Sequence, residues 1–317
     1  MIGFVFRRIL QAILVVLSVM LIVFLLAHVI PGGYARAALG PRATRAQIAQ
    51  FNHLNHYDRP IWIQFWFYMK GLVTHFDLGY SYRKNQGVTS LIIERIPKTL
   101  VLVGLGTLLA LVVAVPLGVV QVVRRNRPVD YVLTGVSFVL YATPVFLLAA
   151  LLILYFSFDL HWFPSGAPQS DSVLTILSQP RGLVLPVFTI AALTIASFSR
   201  YMRSSMMETL TEDYVRTARA KGAGPNRVLY VHALRNALIP IVTLLGLSVP
   251  AIVGGAIITE NIFNYPGMGL LTYEAINTTD VPLLLGTTLF ATLATIVGSL
   301  LADILYAVVD PRIRYAH

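Results

Sequence analysis

Six long stretches of this chain contain no Asp, Glu, Lys or Arg, and they constrain its fold more than any other feature. They cover residues 9–35, 99–123, 131–158, 182–199, 236–259 and 281–302. A helix needs about 20 mostly apolar residues to cross the hydrocarbon core of a bilayer, and each stretch is close to or above that length. The sequence therefore predicts an all-α polytopic membrane protein with six transmembrane helices.

The overall composition agrees with a location in the membrane. Hydrophobic residues make up 56% of the chain and charged residues only 12%, whereas soluble proteins are about a quarter charged. A soluble domain of 317 residues would need a far more charged surface. Composition thus excludes an ordinary soluble enzyme and a disordered protein, and the absence of cysteine excludes a disulfide scaffold.

The distribution of basic residues predicts the orientation of the helices. Lys and Arg are concentrated near both termini and in the segments between the second and third and between the fourth and fifth stretches. The two short segments on the opposite side contain a single basic residue, Arg181. Since basic loops stay in the cytoplasm, we expect both termini to be cytoplasmic. This rule also accounts for the net charge of +10 without a nucleic-acid partner.

These predictions divide the chain into three parts. Residues 1–30 form the first transmembrane helix, residues 31–97 an extracytoplasmic segment, and residues 98–317 a five-helix core with a cytoplasmic loop at 200–236. Within the extracytoplasmic segment, residues 60–70 are dense in aromatic side chains but too short to span a membrane. Trp and Tyr favour the headgroup region, so we expect an interfacial helix there.

No signature of catalysis is present in the sequence. It contains no phosphate-binding G-x4-G-K-[ST] loop, no HExxH zinc motif and no G-x-S-x-G nucleophile motif. His53 and His56 could meet on one helical face, but no further ligand accompanies them, so we predict no metal site. A cluster of intramembrane carboxylates, which would indicate ion coupling, is also absent from the sequence. We therefore expect a protein that is not an enzyme and that takes energy for transport from a partner.

The cytoplasmic segment 213–228 carries the most specific signal. Its pattern predicts a helix that Asp213 caps and that Gly222 and Gly224-Pro225 end, followed by a second helix. Ala218 lies four residues before Gly222, and two small residues on one helical face would allow another protein to approach closely.

Basic residues accompany this small-residue pair: Arg216, Arg219 and Lys221. The residues alone leave two interpretations open. The segment is either a docking site for another protein or a solvated hairpin that merely follows the charge rule for cytoplasmic loops.

The segment resembles the EAA loop of ABC-importer permeases, whose pattern is Glu-Ala-Ala-x3-Gly-x9-Ile-x-Leu-Pro. Gly222, Ala218 and Leu234 match the glycine, the second alanine and the leucine. Four positions depart from the pattern: Arg216, Thr217, His232 and Arg235. The departures match the peptide-permease branch, whose runs resemble Asp-Tyr-Val-Arg-Thr-Ala-Arg-Ala-Lys-Gly at 213–222 and His-Ala-Leu-Arg-Asn-Ala at 232–237, followed by Pro240.

Further stretches extend the resemblance to B-type subunits of dipeptide/oligopeptide permeases over nearly the whole chain. They are Arg59-Pro60 and residues 76–81, 115–118, 162–164, 260–271 and 310–312. The resemblance implies a type I ABC importer-like permease fold in a bacterial or archaeal plasma (inner) membrane.

The resemblance also implies a function and a set of partners. The chain would form half of a translocation pathway for peptides that an extracytoplasmic substrate-binding protein delivers, and a second homologous permease subunit would form the other half. Two ATP-binding subunits would bind ATP and Mg²⁺, so this chain would hold no cofactor. The same branch includes permeases for nickel, glutathione and other small ligands. An alternative of a different class is an ion-driven secondary transporter.

Two sets of candidate site residues follow. The resemblance implies that the segment 213–228 couples the permease to the ATPases, with these candidates: Asp213, Tyr214, Arg216, Ala218, Arg219, Lys221 and Gly222. The candidates for the translocation pathway are Pro144 and Pro250, which are expected to kink their helices, and the polar Asn261.

Overall fold

The structure is a computed structural model that describes residues 2–29, 33–40 and 42–309. The described residues form two compact units, one from residues 2–99 and 266–296 and the other from residues 100–265 and 297–309. Within this described part, the only sheet is a two-stranded antiparallel ribbon in which Tyr80 pairs with Gly87 and Ser81 with Gln86. All other regular elements of the described residues are helices.

The elements follow one another with short connections. The first are α1 (Ile2–His28), α2 (Gly33–Leu39), α3 (Arg45–Leu54), α4 (Ile61–His75), β1 (Tyr80–Ser81), β2 (Gln86–Gly87), α5 (Val88–Val123) and α6 (Pro128–Ala142). Next come α7 (Val145–Leu152), a π-helical continuation (Ile153–Asp159), α8 (Val173–Leu177), α9 (Pro180–Thr209) and α10 (Asp213–Ala220). The last are α11 (Pro225–Arg227), a second π-helical segment (Val228–Ala233), α12 (Leu234–Ala237), α13 (Ile239–Ile262), α14 (Met268–Asn277) and α15 (Val281–Val309).

Five helical stretches of the described residues are long and apolar enough to cross a membrane. They are Arg7–His28, Val88–Val123, Pro180–Thr209, Pro225–Gly246 and Val281–Leu301. The pair formed by α6 and Val145–Asp159 passes the same test, which makes up to six spans if the pair crosses once. The all-α polytopic fold is thereby confirmed, and the cytoplasmic position of the termini stays a prediction.

The third predicted stretch, 131–158, contains two helices rather than one. α6 and the helical run from Val145 to Asp159 meet at an angle of 107°. Pro144 lies at the break, and Thr143 before it has an extended backbone with ψ 124°. Proline has no N–H to continue the helix and disfavours the helical conformation of the preceding residue, so the kink expected there is a complete break.

Two helix ends differ from the predicted stretches. α1 ends at His28, and Ala35, which the first stretch included, lies in α2. Pro31 lies between them in the sequence, and proline favours the end of a helix before it. α5 begins at Val88, well before the predicted start at residue 99. A search for charge-free residues misses this start because Lys98, only 1% exposed, pairs with Glu94 at 3.0 Å one turn earlier.

The first unit contains residues from both sides of the boundary that was predicted after residue 97. Phe24 of α1 and Leu271 of α14 are buried in one apolar cluster. The Ser81 hydroxyl donates a hydrogen bond to the buried Asp280 carboxylate. Burial of this shared apolar surface therefore groups residues 266–296 with the N-terminal part.

In the second unit, two glycines bring α5 close to α9. A Cβ atom on Gly106 would lie 2.6 Å from Cγ2 of Ile190, and one on Gly118 would lie 2.5 Å from Cβ of Met202. Side chains at these positions would collide, so the close contact of the two helices requires residues without a Cβ.

Candidate coupling site

The site is built around α10, and its first turn begins one residue earlier than predicted. Glu212 is the N-cap, with an extended backbone, and its carbonyl accepts hydrogen bonds from the N–H groups of Val215 and Arg216 at 3.0 and 3.2 Å. The cap predicted at Asp213 is therefore wrong. Asp213 is the first helical residue instead, where its negative charge still interacts favourably with the helix dipole.

The end of α10 is a Schellman motif centred on Gly222. The Gly222 N–H donates to the carbonyl of Arg219 at 2.9 Å, and the Ala223 N–H donates to that of Ala218 at 3.1 Å. Gly222 has φ +84°, a left-handed conformation that favours glycine. The prediction that Gly222 ends the helix is confirmed.

The prediction that Ala218 and Gly222 share one helical face is wrong. Gly222 lies beyond the last helical residue, Ala220, and a Cβ atom placed on it would meet no atom of the described residues within 4 Å. The glycine is thus required by its backbone angle, and the described residues leave the space beside it open.

One residue anchors α10 to the rest of the second unit. Val215 is 0% exposed, while every other residue of α10 is exposed or half-buried. α10 packs against the π-helical segment 228–233, whose Val228 and Ala233 are buried as well. The sequence interpretation missed Val215, although it is the only branched aliphatic residue in this otherwise polar and small-residue helix.

The remaining surface of α10 is accessible and mainly basic. Arg216, Arg219 and Lys221 are exposed, as is Tyr214, whereas Ala218 is half-buried. Arg216 contacts Asp213 at 3.4 Å, but both side chains are largely solvated, so this pair contributes little to stability. The predicted coupling residues thus lie on one short helix and, for Lys221 and Gly222, in the turn that ends it, with the basic side chains exposed.

A buried ion pair, also missed from the sequence, secures the helix that leads to α10. Arg203 of α9 binds Asp130 of α6 through two hydrogen bonds, Nε to Oδ1 at 3.1 Å and Nη2 to Oδ2 at 3.0 Å. Asp130 is 2% exposed and also accepts hydrogen bonds from the Asn126 N–H and the Thr134 hydroxyl. α9 ends at Thr209, four residues before α10 begins.

The far end of the loop is connected to α9 as well. The Ser205 hydroxyl donates to the carbonyl of Ala237, the last residue of α12, at 3.0 Å. Both ends of the segment that carries α10 therefore meet α9, so a displacement of α10 would act on that helix.

The candidate pathway residues lie on two helices that the structure brings together. Pro144 precedes α7, and α7 packs against α13, which carries Pro250 and Asn261. Asn261 is half-buried in the last turn of α13. The side chain of Pro250 lies outside the part of the structure that is described. That these residues line a pathway stays a prediction.

The two histidines considered for metal binding do not share a helical face. His53 contacts Asp58 at 3.1 Å, whereas His56 follows the end of α3 with φ 59° and stacks on Phe67. Among the residues whose side chains are described, no three His, Cys, Asp or Glu residues are grouped to hold a metal ion.

The multiple apolar spans define a multi-pass membrane protein, and the loop before α13 exposes a basic helix. Comparison with known sequences gives the family. Residues 104–315 match the inner membrane component of binding-protein-dependent transport systems, and residues 1–103 match the N-terminal region of such membrane components. The chain belongs to this family of inner-membrane transport components, which are not enzymes.

Individual relatives match the full chain. It is 37% identical to the oligopeptide transport system permease protein AppB of Bacillus subtilis, over 99% of this chain and 100% of the relative. It is 36% identical, with the same coverage of both chains, to the glutathione transport system permease protein GsiC of Salmonella choleraesuis.

A solved structure shares the fold. A chain of the inward-facing MetNI methionine ABC transporter aligns with a TM-score of 0.54 at 14% identity, covering 70% of this chain and 97% of that one. The type I importer-like permease fold expected from the sequence is therefore present. The family and this shared fold imply ATPase and substrate-binding partners.

Proposed function

We propose that this chain is the membrane-spanning permease subunit of an ATP-driven importer of peptides. It would form half of the translocation pathway, and a second homologous permease would form the other half. The full-length relative AppB, named for oligopeptide transport, supports peptides as the substrate class. Glutathione is itself a small peptide, so the relative GsiC supports the same class and keeps glutathione as the specific alternative.

In this proposal the energy comes from two partner ATPase subunits, which bind ATP and Mg²⁺. An extracytoplasmic binding protein delivers the peptide, and this chain holds no cofactor. The absence of a phosphate-binding loop from the sequence is consistent with this division of labour.

The observation that carries the proposal is the construction of α10. The helix is fixed at its end by the Schellman motif, anchored at Val215 and otherwise exposed, with basic side chains directed to solvent. We propose that α10 docks on an ATPase subunit and that closure of the ATPases displaces it. Because both ends of its loop meet α9, the displacement would shift the equilibrium between two arrangements of the spans.

Two substitutions at Gly222 test the docking. Gly222→Trp and Gly222→Asn both place a Cβ at φ +84°, but asparagine tolerates this conformation and is small. No described atom lies within 4 Å of a Cβ placed on Gly222, so the extra bulk of tryptophan would project from the exposed surface that we propose to be the docking site. The left-handed backbone also strains tryptophan more than asparagine, so the comparison requires that α10 of Gly222→Trp remains folded. We expect Gly222→Trp to abolish uptake of a labelled tripeptide by the reconstituted complex while ATP hydrolysis continues. Gly222→Asn should transport normally.

The control is the amount of each variant inserted in the membrane, which should be unchanged. Normal tripeptide uptake by Gly222→Trp would overturn the docking of α10. A complex that hydrolyses ATP but transports no peptide, even with the parent chain, would instead overturn the substrate class and leave the permease role intact.

A further inference from the structure

The first unit contains a cavity that the transport proposal does not use. Its volume is about 590 Å³, and it lies among α2, α4 and the β-ribbon. Seven of its lining residues are Phe or Tyr: Phe24, Tyr34, Tyr57, Phe67, Tyr68, Tyr80 and Tyr82. Among the described residues that line it, Asp77 is the only carboxylate, and none is Lys or Arg. The negative charge of Asp77 is opposite in sign to the net charge of the chain, which is +10.

Two tyrosine hydroxyls at this cavity have no hydrogen-bond partner among the residues that the structure describes. The hydroxyl oxygens of Tyr34 and Tyr68 are buried and unpaired, and only 8% of Tyr34 is exposed. Buried polar groups nearly always find a partner, so such exceptions require an explanation. A neighbouring polar group is fully paired, since Gln64 accepts from His28 at 2.9 Å and donates to the carbonyls of Tyr57 and Arg59.

The charge of Asp77 reaches one of these hydroxyls. Burial raises the pKa of Tyr68, and the nearby Asp77 carboxylate raises it further. Burial also raises the pKa of Tyr34. Both phenols therefore remain neutral and add no charge to the cavity. Asp77 is held in place because its Oδ1 accepts a hydrogen bond from the Gly79 N–H at 2.8 Å.

This set of groups selects one class of ligand. Aromatic faces attract a cation through their negative electrostatic potential, and a carboxylate supplies the counter-charge. A single carboxylate does not supply the several oxygen ligands that Ca²⁺ or Mg²⁺ takes from a protein, and an anion would be repelled by it. We propose that this cavity binds an organic ammonium group, R–NH₃⁺, between the aromatic walls, with the exposed Asp77 carboxylate as counter-ion.

Two molecules present this ammonium chemistry to a membrane protein. One is a peptide, through its free amino terminus, and the other is a lipid with an ethanolamine headgroup. The experiment uses the full chain with its copurifying subunits in nanodiscs of phosphatidylglycerol, a lipid without an ammonium group. Saturation-transfer NMR then measures binding of ethanolamine, of dialanine and of N-acetyl-dialanine.

Conservative variants keep the loop and the rings while removing one polar group each. Asp77→Asn retains an acceptor for the Gly79 N–H, and we expect it to weaken ethanolamine binding about tenfold. Tyr34→Phe and Tyr68→Phe keep the rings and remove only hydroxyls with almost no accessible surface, so each should bind ethanolamine as the parent does. The matched controls Asp58→Asn and Tyr273→Phe change exposed residues that do not line the cavity and should bind as the parent does.

The outcomes distinguish the two sources. Displacement of ethanolamine by dialanine but not by N-acetyl-dialanine assigns the site to an amino terminus. Phosphatidylethanolamine that native mass spectrometry finds on the parent chain but not on Asp77→Asn assigns it to the headgroup. The proposal is overturned if neither ethanolamine nor dialanine binds the parent, or if Asp77→Asn binds both as the parent does.

Discussion

The ion pair between Asp130 and Arg203 gives the sharpest test of how the second unit is held together. Asp130→Asn would keep the size of the side chain and remove its charge. The guanidinium of Arg203 would then lose its counter-charge, although its side chain, 28% exposed, would remain partly hydrated. Breaking a buried pair costs about 3 to 5 kcal/mol, and partial exposure places this case near 3 kcal/mol. That corresponds to roughly a hundredfold shift in the unfolding equilibrium.

The assay is a thermal unfolding series on the purified chain in detergent. For Asp130→Asn we expect the apparent Tm to fall by roughly 5 to 10 °C. Glu208→Gln is the matched control, because it removes an exposed carboxylate from the same helix, α9, and should leave the Tm unchanged.

A double variant separates the loss of the pair from the unpaired charge. Asp130→Asn combined with Arg203→Met replaces the ion pair with groups that carry no charge. Since most of the predicted cost comes from the unpaired guanidinium, the double variant should recover stability relative to Asp130→Asn alone. A double variant that is as unstable as the single one, or a single variant with the parent Tm, would refute this reasoning.

Three further predictions concern the anchor of α10, the helix contact and the orientation. Val215→Ala should destabilise α10 by about 2 kcal/mol because it removes buried methyl groups. Faster hydrogen exchange of the α10 amides would detect this loss of stability. Unchanged exchange would contradict the anchoring role of Val215. Gly118→Leu should prevent the close approach of α5 to Met202 and lower the yield of folded protein, and normal folding would contradict that contact. The chain has no cysteine, so Arg125→Cys and Ser165→Cys each introduce a single cysteine at an exposed position. Each of these cysteines can be labelled in intact cells. An impermeant maleimide should reach only Ser165→Cys, and labelling of Arg125→Cys instead would reverse the predicted orientation.

The ends of helices show how far local sequence signals reach. Gly222 was expected to end the first helix of the loop, and it does so with a left-handed backbone that few other residues adopt without cost. The N-cap is one residue earlier than predicted, at Glu212, although aspartate is the preferred capping residue and the Glu212 side chain makes no capping hydrogen bond. Residue preference alone therefore does not locate this helix start. Pro144 predicted a kink, and the structure has a complete break there, whose angle of 107° no local signal specified.

Contacts between residues that are far apart in the sequence could not be predicted from local patterns. Asp130 and Arg203 are separated by 73 positions, and either one alone reads as an ordinary charged residue beside a span. The burial of Val215 depends on the segment 228–233, whose π-helical geometry no local sequence pattern predicted. The aromatic walls of the ammonium cavity likewise come from α1, α2, α4 and the connections beside them.

Local sequence signals were sufficient to predict the class of fold, the approximate spans and the segment with the coupling signal. Those properties follow from local hydrophobicity, from charge and from residues such as proline and glycine that restrict the backbone. The pairing of charges, the side chain that anchors α10 and the grouping of residues 266–296 with the N-terminal unit became known from the three-dimensional arrangement alone. These outcomes depend on which surfaces meet in three dimensions, because pairing and burial become favourable only when distant groups remove each other from solvent.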